Sequence, residues 1–200
     1  MVLEVLSRAV EVSDALGGLV RDVGRGVVLV RGSMGSTGSG VIWNRSGLVI
    51  TNHHVVPGSS AQLTVSDGRR VGAHVVRRAP ALDLAALQIE HDLTDLASPV
   101  GNSDDLRVGD LVIAVGNPMG ERNAPSVGIL ASAADGVLRL SITLRPGNSG
   151  GALVNARGEI VGIPHMVTGS GLALAVSTRT VRAFLDGATG EAEEDNLRWI

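Results

Sequence analysis

Short runs of Val, Ile and Leu separated by turn residues dominate the chain between Gly26 and Val176. Each run is a few residues long and is bounded by Gly, Pro, Asn or Asp, which is the pattern of β-strands joined by tight turns. About twelve runs are predicted as strands: Val27–Val30, Gly40–Trp43, Leu48–Thr51, Ala61–Val65, Val71–Val76, Leu84–Ile89, Leu111–Val115, Ser126–Leu130, Val137–Ile142, Ala152–Val154, Glu159–Ile163 and Leu172–Val176. This pattern predicts an all-β fold.

The spacing of these runs divides them into two sets of six. A polar stretch from His91 to Asp110 separates the two sets. Closing each set into a barrel removes exposed sheet edges, and the 27 glycines suit the tight corners and bulges of small barrels. The chain is therefore predicted to contain two six-stranded antiparallel β-barrels, over residues 23–90 and 111–176.

Helical spacing of apolar residues flanks the barrel region. Residues 2–16 carry apolar side chains at helical spacing with charged residues between them, and Gly17 and Gly18 are expected to end this helix. We assign residues 1–22 to an N-terminal helical segment. Residues 178–185 are predicted to form a closing helix, and residues 189–200 a charged tail.

Composition and charge narrow the classes of function. The formal net charge of −3, with no basic stripe, offers no general attraction to nucleic acid. The absence of cysteine excludes disulfides, thiolate catalysis and Cys-ligated zinc. No apolar run approaches the roughly 18 residues of a membrane span. The first residues lack the basic segment of a signal peptide, so we expect a cytoplasmic protein, or a periplasmic or secreted one if a leader was removed.

The most specific string is Arg-Pro-Gly-Asn-Ser-Gly-Gly at residues 145–151. A serine between glycines can occupy a tight turn with its hydroxyl exposed and backbone N–H groups directed into one small space, as an acyl-transfer oxyanion requires. A glycine-rich hairpin is the alternative interpretation of a short Gly-Xaa-Ser-Gly string. The longer string is much rarer, so Ser149 is a candidate nucleophile.

A serine nucleophile needs a histidine base. His53 and His54 follow the predicted strand Leu48–Thr51, where a buried strand ends in a short polar turn. The pair could instead be a fragment of a metal site, but no second cluster at ligand spacing accompanies it. The other histidines stand alone and are expected to be surface residues or to be satisfied internally: His74, His91 and His165.

The base in turn needs a group that orients it. Asp83 opens the apolar strand Leu84–Ile89, so its side chain should begin at a barrel rim beside buried surface. The aspartates of the polar connection look like solvated turn or capping residues. Asp83 is therefore the candidate orienting carboxylate.

Four segments follow one another along the chain: Thr-Asn-His-His-Val-Val (51–56), Asp-Leu-Ala-Ala-Leu-Gln-Ile (83–89), Val-Gly-Asp-Leu-Val-Ile-Ala-Val-Gly-Asn-Pro-Met-Gly (108–120) and Pro-Gly-Asn-Ser-Gly-Gly-Ala-Leu-Val-Asn (146–155). Together they resemble the signature segments of the HtrA/DegP-type branch of trypsin-like serine proteases. The resemblance runs from about Val27 to Val176 and implies a chymotrypsin-like double β-barrel protease domain over residues 23–188, with the triad in the order His, Asp, Ser.

The resemblance also implies roles for individual residues. His54 takes the place of the general base and His53 that of a variable neighbour, while Asp83 orients the base. Ser149 becomes the nucleophile. The N–H groups of Gly147 and Ser149, with Asn148 between them, would form the oxyanion hole.

The sequence departs from the family pattern around the expected substrate pocket. Residues 141–146 are recoded, which puts Thr143 where trypsin-like enzymes that select basic side chains carry an acid. With Leu144, Ile163 and Pro164 beside it, this pocket is expected to accept small to medium aliphatic side chains. Pro164 also has no N–H to give to a substrate strand, so one main-chain bond is expected to be missing.

The sequence therefore predicts a serine endopeptidase acting on peptides or unfolded proteins, as in protein quality control, without a cofactor or a metal ion. No PDZ domain is expected after the barrels, and both a monomer and a trimer remain open. A protease-like module that binds peptides without cutting them is one alternative. An esterase-like hydrolase with the same triad is another.

Overall fold

The computed structural model describes residues 2–89, 96–169 and 171–188. Within these ranges the chain forms two α-helices and twelve β-strands. They are α1 (Val2–Arg25), β1 (Val27–Arg31), β2 (Thr37–Ile42), β3 (Leu48–Thr51), β4 (Ser60–Thr64), β5 (Arg70–Ala79), β6 (Leu84–Ile89), β7 (Leu111–Gly116), β8 (Ala124–Ala134), β9 (Val137–Ser141), β10 (Ala152–Asn155), β11 (Ile160–Val167), β12 (Ala173–Ser177) and α2 (Thr178–Asp186). Residues 91–95 of the polar connection, which include His91, and the predicted tail 189–200 lie outside the described ranges.

The strands close into two six-stranded antiparallel barrels. The first has the hydrogen-bonded order β1-β2-β3-β6-β5-β4, and the second the order β10-β11-β12-β9-β8-β7. Both the all-β class and the division into two barrels are therefore confirmed. Strands β5 and β8 run several residues beyond the predicted runs, to Ala79 and Ala134.

Alternate side chains of the strands fill three hydrophobic clusters, as the period of two along a strand requires. On β1, Val28 points into the first barrel, whereas its neighbour Val27 packs between the barrels. Leu140 of β9 belongs to the interior of the second barrel. The cluster between the barrels also contains Phe184 of α2, which is 1% exposed. The two barrels thus share one buried interface, and α2 covers part of it.

Helix α1 continues to Arg25, so the expectation that Gly17 and Gly18 end it is wrong. Two glycines in a helix interior are unfavourable by about 1 kcal/mol each relative to alanine. The turns that follow offset this, because Leu19 packs against the cluster between the barrels and Val23 is buried in it. No described helix is long and apolar enough to cross a membrane.

Helix α2 begins and ends close to the predicted bounds. Ser177 caps its first turn, with Oγ accepting a hydrogen bond from the N–H of Thr180 at 3.2 Å. Gly187 ends it in a left-handed conformation with φ of 75°. Strand β2, in contrast, begins at Thr37, three residues before the predicted run Gly40–Trp43.

Candidate active site

The structure brings His54 and Asp83 together at the rim of the first barrel. His54 lies in a 3-10 turn (His53–Val55) directly after β3, and Asp83 directly precedes β6. Because β3 and β6 are paired through Thr51 and Ala85, the two positions are neighbours. The N–H of His54 donates to Asp83 Oδ1 at 3.0 Å, and His54 Nδ1 lies 2.7 Å from Asp83 Oδ2.

These contacts select the tautomer of His54 and the charge of Asp83. A carboxylate only accepts hydrogen bonds, so Nδ1 of His54 carries a proton, and in the neutral ring the Nε2 lone pair is then the acceptor. Burial raises the pKa of the Asp83 carboxyl, but the contacts with His165 and with the ring and N–H of His54 outweigh burial and hold that pKa well below its usual range. Asp83 is therefore ionised at neutral pH, as the orienter of a base must be.

A second imidazole lies against the same carboxylate. His165 Nδ1 is 3.6 Å from Asp83 Oδ2, and the His165 side chain is 9% exposed. Sequence reasoning treated His165 as a surface or internally satisfied residue and missed this contact. Pro164 was the available signal in the sequence, because a proline within a strand indicates a β-bulge. A bulge changes the direction of neighbouring side chains, here that of His165.

His53, the neighbour of the candidate base, has a separate partner. Arg78 Nη1 donates to His53 Nδ1 at 2.6 Å and to the carbonyl of Val56 at 2.7 Å, and Arg78 Nη2 donates to the carbonyl of Gly58 at 2.6 Å. Burial and the Arg78 guanidinium lower the pKa of His53, so its ring is neutral and accepts through Nδ1.

Among the described residues, no group of three or more His, Asp and Glu is placed to hold a metal ion, so the metal-site alternative finds no partner residues there.

The loop at residues 145–151 carries the candidate nucleophile. Gly147 has φ of +101° and Gly150 has φ of +81°, conformations that favour glycine. A Cβ on Gly147 would lie 2.7 Å from the carbonyl oxygen of Asn117, so the close approach of backbone also requires glycine. Asn148 is buried between them. Residues 145–151 thus form a tight turn that carries Ser149, the serine turn.

The hydrogen-bond donors of this loop show what it offers to a ligand. Ser149 Oγ donates to the carbonyl of His165 at 3.3 Å. Within the described part of the chain, no hydrogen bond joins Ser149 Oγ to the ring of His54. The N–H groups of Gly147 and Ser149 likewise have no acceptor among the described residues. Two backbone donors beside a serine hydroxyl can bind an oxyanion.

Ser39 of β2 connects this loop to the first barrel, a role that sequence reasoning missed. Its N–H donates to the carbonyl of Ser149 at 2.8 Å, and its Oγ donates to the carbonyl of Gly147 at 2.7 Å. The same Oγ accepts from the N–H of Asn117 at 2.7 Å. Ser39 is fully buried, so these three bonds hold the serine turn against both barrels. The glycine-rich stretch around Ser39 was the only signal in the sequence.

The residues of the expected substrate pocket have different environments. Thr143 is exposed and Leu144 is half-buried against the interior of the second barrel. Ile163 is fully buried in the cluster between the barrels. Pro164 is buried in β11, and its carbonyl accepts from the N–H of Gly150 at 2.9 Å, so it supports the serine turn directly.

Comparison with known proteins agrees with this arrangement. The family described as "Trypsin-like peptidase domain" matches residues 38–163. The chain is 38% identical over 147 residues to the serine protease Do-like HtrA of Lactobacillus helveticus, covering 66% of this chain and 36% of the relative. It is 39% identical over 137 residues to the periplasmic serine endoprotease DegP of Salmonella typhimurium, covering 63% and 29%.

A mammalian relative, the serine protease HTRA4 of Mus musculus, is 33% identical over 164 residues, which are 76% of this chain and 34% of that protein. The chain thus spans about a third of the length of these relatives. The matched region begins within β2 and ends within β11, so it contains His54, Asp83 and Ser149. The chain belongs to the family of trypsin-like peptidase domains, and its relatives named here are serine proteases of the HtrA and DegP type.

Proposed function

We propose that the chain is a serine endopeptidase in which Ser149 is the nucleophile, His54 the general base and Asp83 the orienting carboxylate. The observation that carries the proposal is the 2.7 Å contact between His54 Nδ1 and Asp83 Oδ2. It makes Nε2 of His54 a proton acceptor, which is what a serine hydroxyl needs in order to attack a carbonyl.

The proposed reaction proceeds in two halves. The Ser149 hydroxyl rotates from the His165 carbonyl toward His54, its proton passes to Nε2, and Oγ adds to the peptide carbonyl. The C–N bond then breaks as His54 returns the proton to the leaving amine, which leaves an acyl-enzyme on Ser149. Water, deprotonated by His54, adds to the acyl carbon, and the ester bond breaks as His54 returns that proton to Ser149 Oγ, which releases the acid and the free serine.

The N–H groups of Gly147 and Ser149 are the proposed oxyanion hole, with Asn148 holding the turn between them. Their availability as donors supports this role, since an oxyanion in that position would accept from both. Loss of one such donor in serine proteases lowers kcat by roughly 10²–10³.

The proposed substrates are peptides or unfolded proteins with a small to medium aliphatic side chain before the cut bond. Residues 137–146 contain Arg139 and Arg145 and no carboxylate, so nothing on this segment would neutralise a bound Lys or Arg. Thr143 and Leu144 offer a neutral wall. Cleavage of a peptide library should give Val, Ala or Leu at this position, whereas a preference for Arg would refute the assignment.

Labelling with a fluorophosphonate, followed by hydrolysis of unfolded casein, tests the function. We expect wild type to be labelled and to cut casein, Ser149→Ala to do neither, and Ser60→Ala, a change at an exposed serine of β4, to match wild type. If Ser149→Ala were labelled as strongly as wild type, the assignment of Ser149 as the nucleophile would be wrong. Hydrolysis of small esters without casein cleavage would instead favour an esterase.

One observation favours a second candidate, a peptide-binding module without catalysis. Ser149 Oγ donates to the His165 carbonyl and not to His54, so the nucleophile and base are not hydrogen-bonded in this structure. Catalytic hydrogen bonds are often long or misaligned before substrate binds, which is why we favour the enzyme. Casein binding without fluorophosphonate labelling at any pH would support the binding module.

A further inference from the structure

His165 occupies an irregular position in β11. Pro164 pairs with Ala175 of β12 and Met166 pairs with Leu174, so His165 is the extra residue of a β-bulge. Its carbonyl accepts the hydroxyl of Ser149, and its ring approaches Asp83 Oδ2. One residue therefore contacts both the candidate nucleophile and the candidate carboxylate.

The charges around the His165 ring are few. Asp83 faces it from the corner before β6, and His54 shares the same carboxylate oxygen from the 3-10 turn. The flanking strands β10 and β12 contribute no charged side chain. Arg78 donates hydrogen bonds to His53 and to the carbonyl groups of Val56 and Gly58. Within the described residues, Asp83 is thus the single counter-charge within ion-pair distance of His165.

We propose that His165 is a positioning residue that acts through Asp83. While the His165 ring is neutral, it supports the Asp83 carboxylate. When the His165 ring is protonated, it competes with His54 for the negative charge of that carboxylate. This rests on the proposed function, because it concerns the stabilisation of His54 during catalysis. His54 becomes an imidazolium when it takes the serine proton, and the charge of Asp83 stabilises that cation.

A proton on His165 works against this stabilisation in two ways. It places a positive charge 3.6 Å from the oxygen that His54 uses, so Asp83 is shared between two cations. It also adds repulsion between the two imidazolium rings in a partly buried site. Full activity therefore requires both rings to be neutral before reaction, and the loss of activity at low pH involves two protons instead of one.

The state of Asp83 supports the same conclusion. Its low pKa, to which the contact with His165 contributes, keeps the carboxylate ionised throughout the range in which imidazoles titrate. Asp83 therefore offers both His54 and His165 the same negative charge.

The second-order rate constant of fluorophosphonate labelling, measured from pH 5 to 8, tests the proposal. For wild type we expect log rate against pH to rise with a slope approaching two on the acid side. His165→Gln keeps a neutral N–H donor beside Asp83 and should give a slope of one, with a rate at pH 8 within a few-fold of wild type. His74→Gln, at an exposed histidine of β5, is the matched control and should keep the wild-type slope.

A slope of one in wild type, or an unchanged slope of two in His165→Gln, overturns the role of His165. His165→Asn provides a second neutral amide if the glutamine variant does not fold, and a wild-type slope of one overturns the proposal without either variant. Absence of labelling in wild type at every pH would contradict the proposed function instead, so the two failures are distinguishable.

Discussion

At the scale of single residues, the candidate site depends on an unusual backbone conformation at Asp83. Its φ of 51° and ψ of 41° lie in the left-handed region, which aspartate tolerates better than most residues. In this conformation its carbonyl accepts the N–H of His53 at 3.1 Å while its side chain reaches His54. Asp83 therefore holds the turn that carries the candidate base both through its backbone and through its side chain.

The adjacent histidines give a sharp prediction, because their partners differ. His54→Ala removes the imidazole that donates to Asp83 through Nδ1 and would accept the Ser149 proton at Nε2. It should lower kcat for casein hydrolysis on the order of 10⁴–10⁶-fold, since triad residues act as a unit. His53→Ala removes only a contact with Arg78 and should cost far less. Equal losses in the two variants would contradict the choice of His54 as base.

At the scale of secondary structure elements, sequence patterns located all twelve strands but misplaced the end of α1. Strands were found because alternation and turn residues are local signals. The helix end depends on where Leu19 and Val23 can pack, which is information about distant parts of the chain. Gly17 and Gly18 therefore have a local preference against helix, and tertiary packing of the following turns overrides it.

Replacing Gly18 tests this account of α1. A Cβ on Gly18 would have the guanidinium of Arg21 at 3.8 Å as its nearest neighbour, so Gly18→Ala should raise the free energy of unfolding in urea by about 0.5–1 kcal/mol. Gly24→Ala is the contrast, because its Cβ would lie 2.6 Å from the amide of Asn123 and should destabilise. Destabilisation by Gly18→Ala would argue against a continuous helix.

The serine turn permits a similar comparison between two glycines of positive φ. A Cβ on Gly150 would collide with the carbonyl of Ser39 and with the Thr51 hydroxyl, whereas nothing lies within 4 Å of one on Gly109. Gly109→Ala should therefore cost about 1–2 kcal/mol from backbone strain alone. Gly150→Ala should cost more in urea unfolding and should also lose fluorophosphonate labelling. Normal labelling of Gly150→Ala would show that the turn tolerates displacement.

At the scale of the whole molecule, the site lies where two barrels meet, and this limits what sequence can predict. Asp83, Ser149 and the pair of His53 and His54 could be chosen because each stands next to a strand in a recognisable local string. The choice of His54 over His53 came from the family resemblance. The contacts of Ser39 and His165 join segments 108 and 82 residues apart (147 − 39 and 165 − 83), and no local pattern encodes such pairs. These contacts form only when the barrels close and pack against each other.

Ser39 provides the prediction that belongs to this scale, because its side chain links the first barrel to the serine turn of the second. Ser39→Ala leaves the carbonyl of Gly147 and the N–H of Asn117 without their buried partner, and should lower the free energy of unfolding by about 1–3 kcal/mol. The turn that carries the proposed oxyanion hole also loses an anchor, so the rate of fluorophosphonate labelling should fall with it.

Ser103→Ala is the matched control for this change. Ser103 is a buried serine whose Oγ accepts from the N–H of Arg179 at 3.2 Å, in a contact that holds α2 and does not involve the serine turn. We expect it to lower the free energy of unfolding without slowing labelling, since a lost buried hydrogen bond weakens the fold wherever it lies. If both variants were destabilised equally and labelled at the wild-type rate, the link through Ser39 would hold the barrels together without shaping the candidate site.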